Sequence, residues 1–490
     1  MSVAGLTPQL STYSEIQRIA MSKQNVIFLM NLAIVLFLMF GFGFVPPFFG
    51  LNEMSMKIVG VFAGVIYGWI MLDIGWPSIL GLVALCLTGF MPTSDLLASA
   101  FGSQTIVMIL ALLFLAAFVQ QAELTEIIVD FLLSRKCTEG KPFLILFNFL
   151  FAGFLAAVLS QCLAVLVIFL EIFKEIVRKT GIKPYSTAIP AFMVGMAFSI
   201  VIGDISLPFK GCAILGIGAY EAVTGQRMDL AAFSIFMFPL CVASIAFYVF
   251  SCKYIFRVDL SALCTYRHEP TKGARVTPLK KISLTAIIIS LALLLLPGII
   301  PSGNILADIF QQLGLGGLSL AIIAVLMLLK VNGEPLLDMA KVAGFFPWKV
   351  FFVLVVLLPV AGALSSDTVG LKSLLSSLAT ALLSGLPPAL VIFAVVLLPA
   401  ILTQFANNMI VTSVFVTIIC FIGKALPFDP IVLSCLGIIS ANLSMFFPAA
   451  NPMNAILFAQ RDLVTFRQEA GFGFLSCMLL VGYGWGCIVF

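Results

Sequence analysis

Apolar runs of membrane-crossing length recur along this chain, separated by short polar stretches. A helix that crosses the hydrocarbon core of a bilayer needs about 20 predominantly apolar residues. On that measure the pattern predicts spans at about 25–45, 57–74, 77–91, 103–122, 187–220, 231–252, 283–300, 316–330, 347–365, 431–458 and 471–490. Two further apolar segments, about 143–174 and 386–423, are too short to cross twice, and each has a polar centre. The first carries Ser160-Gln161-Cys162 and the second Thr403-Gln404-Phe405-Ala406-Asn407-Asn408. A segment that enters, turns on polar residues and leaves on the same side is a re-entrant helical hairpin. One long tilted span with a polar patch is the alternative.

Two of the spans are interrupted. Phe446-Phe447-Pro448-Ala449-Ala450-Asn451-Pro452-Met453-Asn454 breaks the run from Ile431 to Phe458. Each proline removes a backbone donor and clashes with the preceding turn, and irregular backbone at bilayer depth is tolerated only where protein buries it or a watery cavity needs it. A similar break falls at Ile202-Gly203-Asp204-Ile205-Ser206-Leu207-Pro208. The polar tips at Ser160 and Asn407 lie 247 residues apart, and Pro208 and Pro452 lie 244 apart. Met91-Pro92-Thr93-Ser94-Asp95-Leu96-Leu97 is echoed by Gly333-Glu334-Pro335-Leu336-Leu337-Asp338. With an odd number of crossings between corresponding elements, the repeat is inverted, the pattern of secondary transporters with a site at the repeat interface. Helix N-termini at the tips and breaks would point positive dipole ends inward, where an anion is favoured.

Composition agrees with the class. The chain is 62% hydrophobic and 10% charged, with mean hydropathy +1.18, against about 25% charged in soluble domains. It is expected to be an all-α polytopic membrane protein of about 11 spans plus two re-entrant hairpins. The parts are a cytoplasmic segment 1–24, scaffold helices 25–142, transport elements 143–256, a cytoplasmic loop 257–282, scaffold helices 283–385 and transport elements 386–490. The first segment lacks the apolar core of a cleavable signal. With both hairpins re-entrant, 21 of the 26 Lys and Arg fall on the cytoplasmic side; Lys57, Arg227, Lys372 and Lys424 fall outside, and Lys210 within. That asymmetry follows the positive-inside rule and sets the N-terminus in and the C-terminus out, in the plasma or inner membrane. Eleven cysteines show no metal-ligand spacing, the lone His268 lies in a polar loop, and there is no ATP-binding Walker motif. No cofactor is expected beyond a coupling ion, and no nucleic-acid partner.

The chain resembles the divalent anion/sodium symporters, the dicarboxylate, citrate and sulfate carriers of the ion transporter superfamily. Pro448-Ala449-Ala450-Asn451-Pro452-Met453-Asn454-Ala455-Ile456 stands against that family's second-break run, and Asn407-Asn408-Met409 and Ser160-Gln161-Cys162 stand where its tip motifs fall. The resemblance implies a homodimer with a static scaffold and an elevator-like transport domain. It also implies substrate carboxylates held between the tips, at Ser160, Gln161, Cys162, Asn407, Asn408 and Met409, with Pro208, Lys210, Pro452 and Asn454 beside them. Sodium would sit at two sites. Ser160, Gln161, Gly203 and Asp204 surround the first, and Asn407, Asn408, Ala449 and Asn451 the second.

Asp204 and Lys210 depart from the family pattern. Charges within a membrane helix are costly and usually functional. Either they form a structural ion pair, or Lys210 replaces a sodium or binds the anion while Asp204 holds the lysine or carries a coupled proton. Lesser polar residues include an amphipathic segment from Gln120 to Arg135 along the cytoplasmic interface, Glu171 near the first hairpin's mouth, and Thr412 and Ser413 after the second tip. The leading expectation is secondary transport of a di- or tricarboxylate or sulfate, driven by sodium or protons. A cation/proton antiporter, a monocarboxylate permease or an anion exchanger stands next; a membrane-embedded lipid enzyme would need an Asp, His or Ser cluster the chain lacks.

Overall fold

The computed structural model describes residues 25–48, 51–122, 140–209, 211–266, 278–298, 300, 305–366, 386–423, 429–448 and 450–489. Lys210, Ala449 and most of the 120–135 segment lie outside them. The helices are α1 (Asn25–Phe44), α2 (Glu53–Met71), α3 (Trp76–Leu87), α4 (Thr93–Gly102), α5 (Gln104–Gln121), α6 (Pro142–Leu159) and α7 (Cys162–Thr180). They continue with α8 (Ala188–Ile205), α9 (Gly211–Thr224), α10 (Leu230–Tyr254), α11 (Pro278–Leu295), α12 (Ile305–Leu328) and α13 (Met339–Ala343). The last are α14 (Trp348–Ser365), α15 (Pro388–Leu402), α16 (Asn408–Gly423), α17 (Pro430–Ser440), α18 (Pro452–Phe458) and α19 (Phe466–Val489). Nine helices among the described residues are long and apolar enough to cross a membrane.

Local chemistry sets these boundaries. Asn52 caps α2 by accepting the Ser55 N–H at 2.8 Å, while the Asn52 N–H donates to Ser55 Oγ at 3.1 Å. Within α2, Gly60, Gly64 and Gly68 recur every fourth residue. A Cβ on Gly60 would lie 2.5 Å from the Leu38 carbonyl, and one on Gly68 2.8 Å from Pro77. That small-residue stripe lets α1 and α3 pack closely on α2, as in other membrane helix pairs.

One expectation is corrected in register. The span expected at 316–330 begins at Ile305 and runs through a kink at Gly314 (φ +60°). The kink and the polar Asp308, Gln311 and Gln312 conceal the earlier start. A side chain at Gly314 would meet Gln104 Nε2 at 2.2 Å, so glycine admits both the bend and the approach of α5. Between α12 and α13, Lys330–Val331 and Glu334–Pro335 pair as a short antiparallel ladder. Asn332 and Gly333, both at positive φ, make the Asn-Gly turn such hairpins prefer.

Packing relations of the first half recur in the second. Helix α6 packs on α8 as α15 packs on α17; α7 meets α18 as α16 meets α9; α8 meets α19 as α17 meets α10. Likewise α4 rests on α14 as α13 rests on α5. Helices α6 and α7 fold back on each other: the Phe149 and Phe169 rings, on opposite arms, stand edge to face at 5.1 Å. Helix α8 is buried almost throughout.

Candidate functional site

The first tip forms where α6 runs out of helix. Ser160 (φ −134°, ψ 175°) and Gln161 (φ −70°, ψ 130°) are extended, and α7 restarts at Cys162. The Cys162 thiol lies 3.9 Å from the Ile200 carbonyl of α8. Gln161 makes no side-chain cap and is exposed.

Asp204 lies in the last turn of α8, and α9 begins at Gly211 with φ +57°. The Asp204 carboxylate covers Gly211 so closely that no side chain fits there.

The second tip is tied far more extensively to its break. Thr403 Oγ1 lies 2.6 Å from the Ala441 carbonyl and 2.9 Å from Asn408 Oδ1. Gln404 is wholly buried. Its amide donates to the Ala400 and Leu443 carbonyls at 2.9 and 2.6 Å. Its oxygen accepts from the Met445 and Phe446 N–H groups at 3.1 and 3.2 Å. One side chain thus satisfies three backbone groups of an unwound stretch that would otherwise be costly to bury.

The second break is longer than the sequence implies. Helix α17 ends at Ser440, so the unwound stretch begins at 441 rather than at Phe446. Asn442 holds its first turn, donating to the Ile438 carbonyl at 2.7 Å and to Thr412 Oγ1 at 3.2 Å, while its oxygen accepts from Asn408 Nδ2 at 3.2 Å. Asn451 caps α18 by accepting the Asn454 N–H at 2.9 Å and donates to Ser444 Oγ at 2.7 Å. Asn454 donates to the carbonyls of Ser444 and Phe447 at 2.9 and 3.0 Å. Asn442 and Ser444 were missed. Their signal was the alternation of three polar residues, Ser440, Asn442 and Ser444, in the run Ile438-Ile439-Ser440-Ala441-Asn442-Leu443-Ser444, upstream of the prolines.

Both tips and both breaks line one cavity of about 310 Å³. Ser160, Gln161 and Cys162 meet Asn407, Asn408 and Met409 there, with Asp204 and Gly211 from one break and Asn451 and Pro452 from the other. Helix α5 closes it with Leu113, Ala116 and Ala117, and the start of α14 with Pro347 and Val350. The chemistry is a ring of amides, hydroxyl, thiol and one carboxylate with apolar walls, suited to orienting a small polar solute.

Three expected residues stand outside this ring. Gly203 packs under the Phe154 carbonyl, which a Cβ would approach to 2.4 Å, and its own carbonyl accepts from the Ser206 hydroxyl at 2.9 Å. Pro208 is buried behind the first break. Asn454 is buried and spends its amide on the unwound backbone. Lys210 and Ala449 lie outside the described residues. Ser413 bonds back to the Met409 carbonyl at 2.8 Å, whereas Thr412 joins the Asn442 network. Glu171 pairs with Lys174 at 3.1 Å on the surface.

Residues 62–434 match the family model described as Citrate transporter. The chain belongs to the citrate transporter family. That family is one of transporters, and nine helices among this chain's described residues are long and apolar enough to cross a membrane. The chain is similar to the sodium-dependent low-affinity dicarboxylate transporter 1 of Caenorhabditis elegans, 28% identical over 156 residues, 31% of this chain and 25% of that protein. An uncharacterized transporter of Methanocaldococcus jannaschii is 25% identical over 320 residues, 64% of this chain and 66% of that protein. A second uncharacterized C. elegans transporter is 29% identical over 136 residues, 27% of this chain and 23% of that protein. The match thus spans about a quarter of each nematode protein. Among solved structures, the YdaH transporter of Alcanivorax borkumensis shares the fold: TM-score 0.53, 14% identity, 80% of this chain and 86% of that one covered.

Proposed function

We propose that this protein is a secondary active transporter carrying a di- or tricarboxylate across the cytoplasmic membrane, coupled to sodium or protons, with sulfate as the smaller alternative substrate. The observation that carries the proposal is the convergence of both tips and both breaks on one cavity. A carboxylate-bearing solute there would meet the N-terminal ends of α7, α16 and α9, whose dipoles favour negative charge. Gln161, Asn407 and Asn408 are placed to supply side-chain donors.

The coupling ion would sit at the edges of the same ring. Sodium takes oxygen ligands, and Asn408, Asn451 and the carbonyls of the unwound stretch supply them beside the second tip. Ser160 and Asp204 supply them beside the first. Gly203 would shape that site through its close packing rather than as a lining residue. The opposite-charge partner proposed for Asp204 is Lys210.

The recurring packing relations support an inverted repeat, and a tip that ends inside the cavity supports re-entrant hairpins. On that reading 143–256 and 386–490 form the moving body, and 25–142 and 283–385 the scaffold. Eleven spans, a cytoplasmic N-terminus, an external C-terminus and a homodimer complete the proposal. The test is uptake of labelled citrate, succinate and sulfate into proteoliposomes under sodium, proton or no gradient. Gradient-driven uptake of one of them is the expected result; no uptake of any anion under any gradient would remove the proposal.

A further inference from the structure

A second cavity, of about 400 Å³, lies along the same three-helix seam as the first. Helix α5 contributes Leu113 and Ala116 to the first cavity and Thr105 to the second; α9 contributes Gly211 to the first and Glu221 to the second. Separations of eight, eleven and ten residues keep these positions near one helix face, displaced by about 12–17 Å at 1.5 Å per residue. Helix α14 lines the first with Val350 and the second with Pro359. Ser99, which also lines the second cavity, is exposed.

Glu221 is a buried carboxylate that the carboxylate-binding reading does not use. Its Oε2 accepts from the Thr105 hydroxyl of α5 at 2.5 Å, and its Oε1 accepts from the Met228 N–H at 3.1 Å. Helix α5 belongs to the proposed scaffold and α9 to the proposed moving body, so the Thr105 bond bridges the two. Both oxygens act as acceptors, the arrangement an ionised carboxylate makes best. Protonation would turn one acceptor into a donor and weaken the bridge.

We propose that Glu221 is a proton-binding latch: ionised, it holds α9 against Thr105 of α5, and a proton arriving through this second cavity releases the seam for movement. The inference rests on the transporter reading. Charged neighbours among the described residues are few. Arg227 lies on the connection after α9, exposed and six residues beyond Glu221. The Asp229 and Asp429 carboxylates cap α10 and α17, accepting from the Ala231 and Ile431 N–H groups, and Asp95 of α4 accepts from Ser94 at 3.3 Å on the surface. Helix α14 offers only Leu358, Pro359, Gly362 and Ala363 to the cavity. Of the helices packed on α9, α8 brings Asp204 at the far end, and the last turns of α16 bring Cys420 beside Tyr220.

The test places spin labels at the exposed positions Ser94→Cys on α4 and Gln226→Cys after α9, in protein whose exposed Cys264 and Cys487 are replaced by serine and whose Cys162 is kept. Distances are measured in liposomes between about pH 5 and pH 8, a range wide enough for a buried carboxyl to titrate. The expected result is a single population at high pH and a second, displaced one at low pH. Glu221→Gln should show both at every pH, and Thr105→Val should show the displaced population at high pH with the carboxylate retained. If Glu221→Gln does not fold, Thr105→Val decides, with Thr105→Ser restoring the wild-type pattern. A wild-type distribution independent of pH, or a Glu221→Gln response equal to wild type, overturns the proposal. Anion uptake measured in the same liposomes separates the two readings. Absent uptake with a pH-dependent distance removes the transport reading alone, and uptake with a pH-independent distance removes the latch alone.

Discussion

Gly211 lies beneath the carboxylate of Asp204, so that a Cβ at Gly211 would fall 1.7 Å from Asp204 Oδ2. The two residues fix each other: the carboxylate can occupy its place at the cavity wall only because position 211 has no side chain. The φ of +57° at Gly211 adds a second requirement, since left-handed backbone costs other residues about 1–2 kcal/mol.

Gly211→Ala is therefore expected to displace Asp204 and to lower transport at least tenfold, with a modest loss of thermal stability. Uptake kinetics on purified, monodisperse protein check this. Wild-type uptake by the alanine variant would show that the Asp204 position does not matter.

Gln404 offers a contrast, because its role is to satisfy backbone. Gln404→Leu would strip partners from the Leu443 carbonyl and the Met445 and Phe446 N–H groups. Each such loss costs about 1–3 kcal/mol when buried. A fall in unfolding temperature of several degrees, with transport lost in proportion to folded protein, is the expected outcome. Unchanged melting would mean the unwound stretch finds other partners.

Helix α2 ends at Met71, so Asp73 lies in the connection to α3, where the Lys349 ammonium, 2.6 Å away, and the Gly75 N–H hold its carboxyl below its usual value. A depressed folded-state value means the contribution is fully present above the unfolded aspartate value near 3.9. It is lost as pH falls through the folded value. The pair is half exposed, so its worth is about 0.5 kcal/mol or less. Melting of wild type and Asp73→Asn should differ slightly at neutral pH and converge below about pH 4. A difference that persisted in acid would assign the effect to the Gly75 turn instead.

The sequence carried the architecture because proline, asparagine and glycine leave marks in an apolar background. Ser160, Asn407, Asp204 and Asn451 each interrupt a run, and all four line the same cavity. What could not be read was the division of labour among polar residues. Asn451 and Asn454 are chemically alike and three apart, yet only Asn451 reaches the cavity, while Asn454 turns back onto the Ser444 and Phe447 carbonyls. Glu221 was hidden at the end of an expected span, where a carboxylate reads as an interfacial residue until Thr105, 116 positions earlier, appears beside it.

The two tips differ in how they are held, and that difference can be measured. Thr403, Gln404 and Asn408 fasten the second tip to Ala441, Asn442, Leu443, Met445 and Phe446. Gln161 of the first tip is exposed at the cavity without a cap bond. A cysteine at position 161, in a Cys162→Ser background, should react with a small membrane-impermeant thiol reagent, and saturating transported anion should slow that reaction several-fold. A cysteine at position 404, wholly buried, should react negligibly under either condition. Protection at 161 by the anion and not by an inert salt of equal ionic strength would tie the first tip to substrate. Equal labelling with and without the anion would place the substrate against the second tip alone.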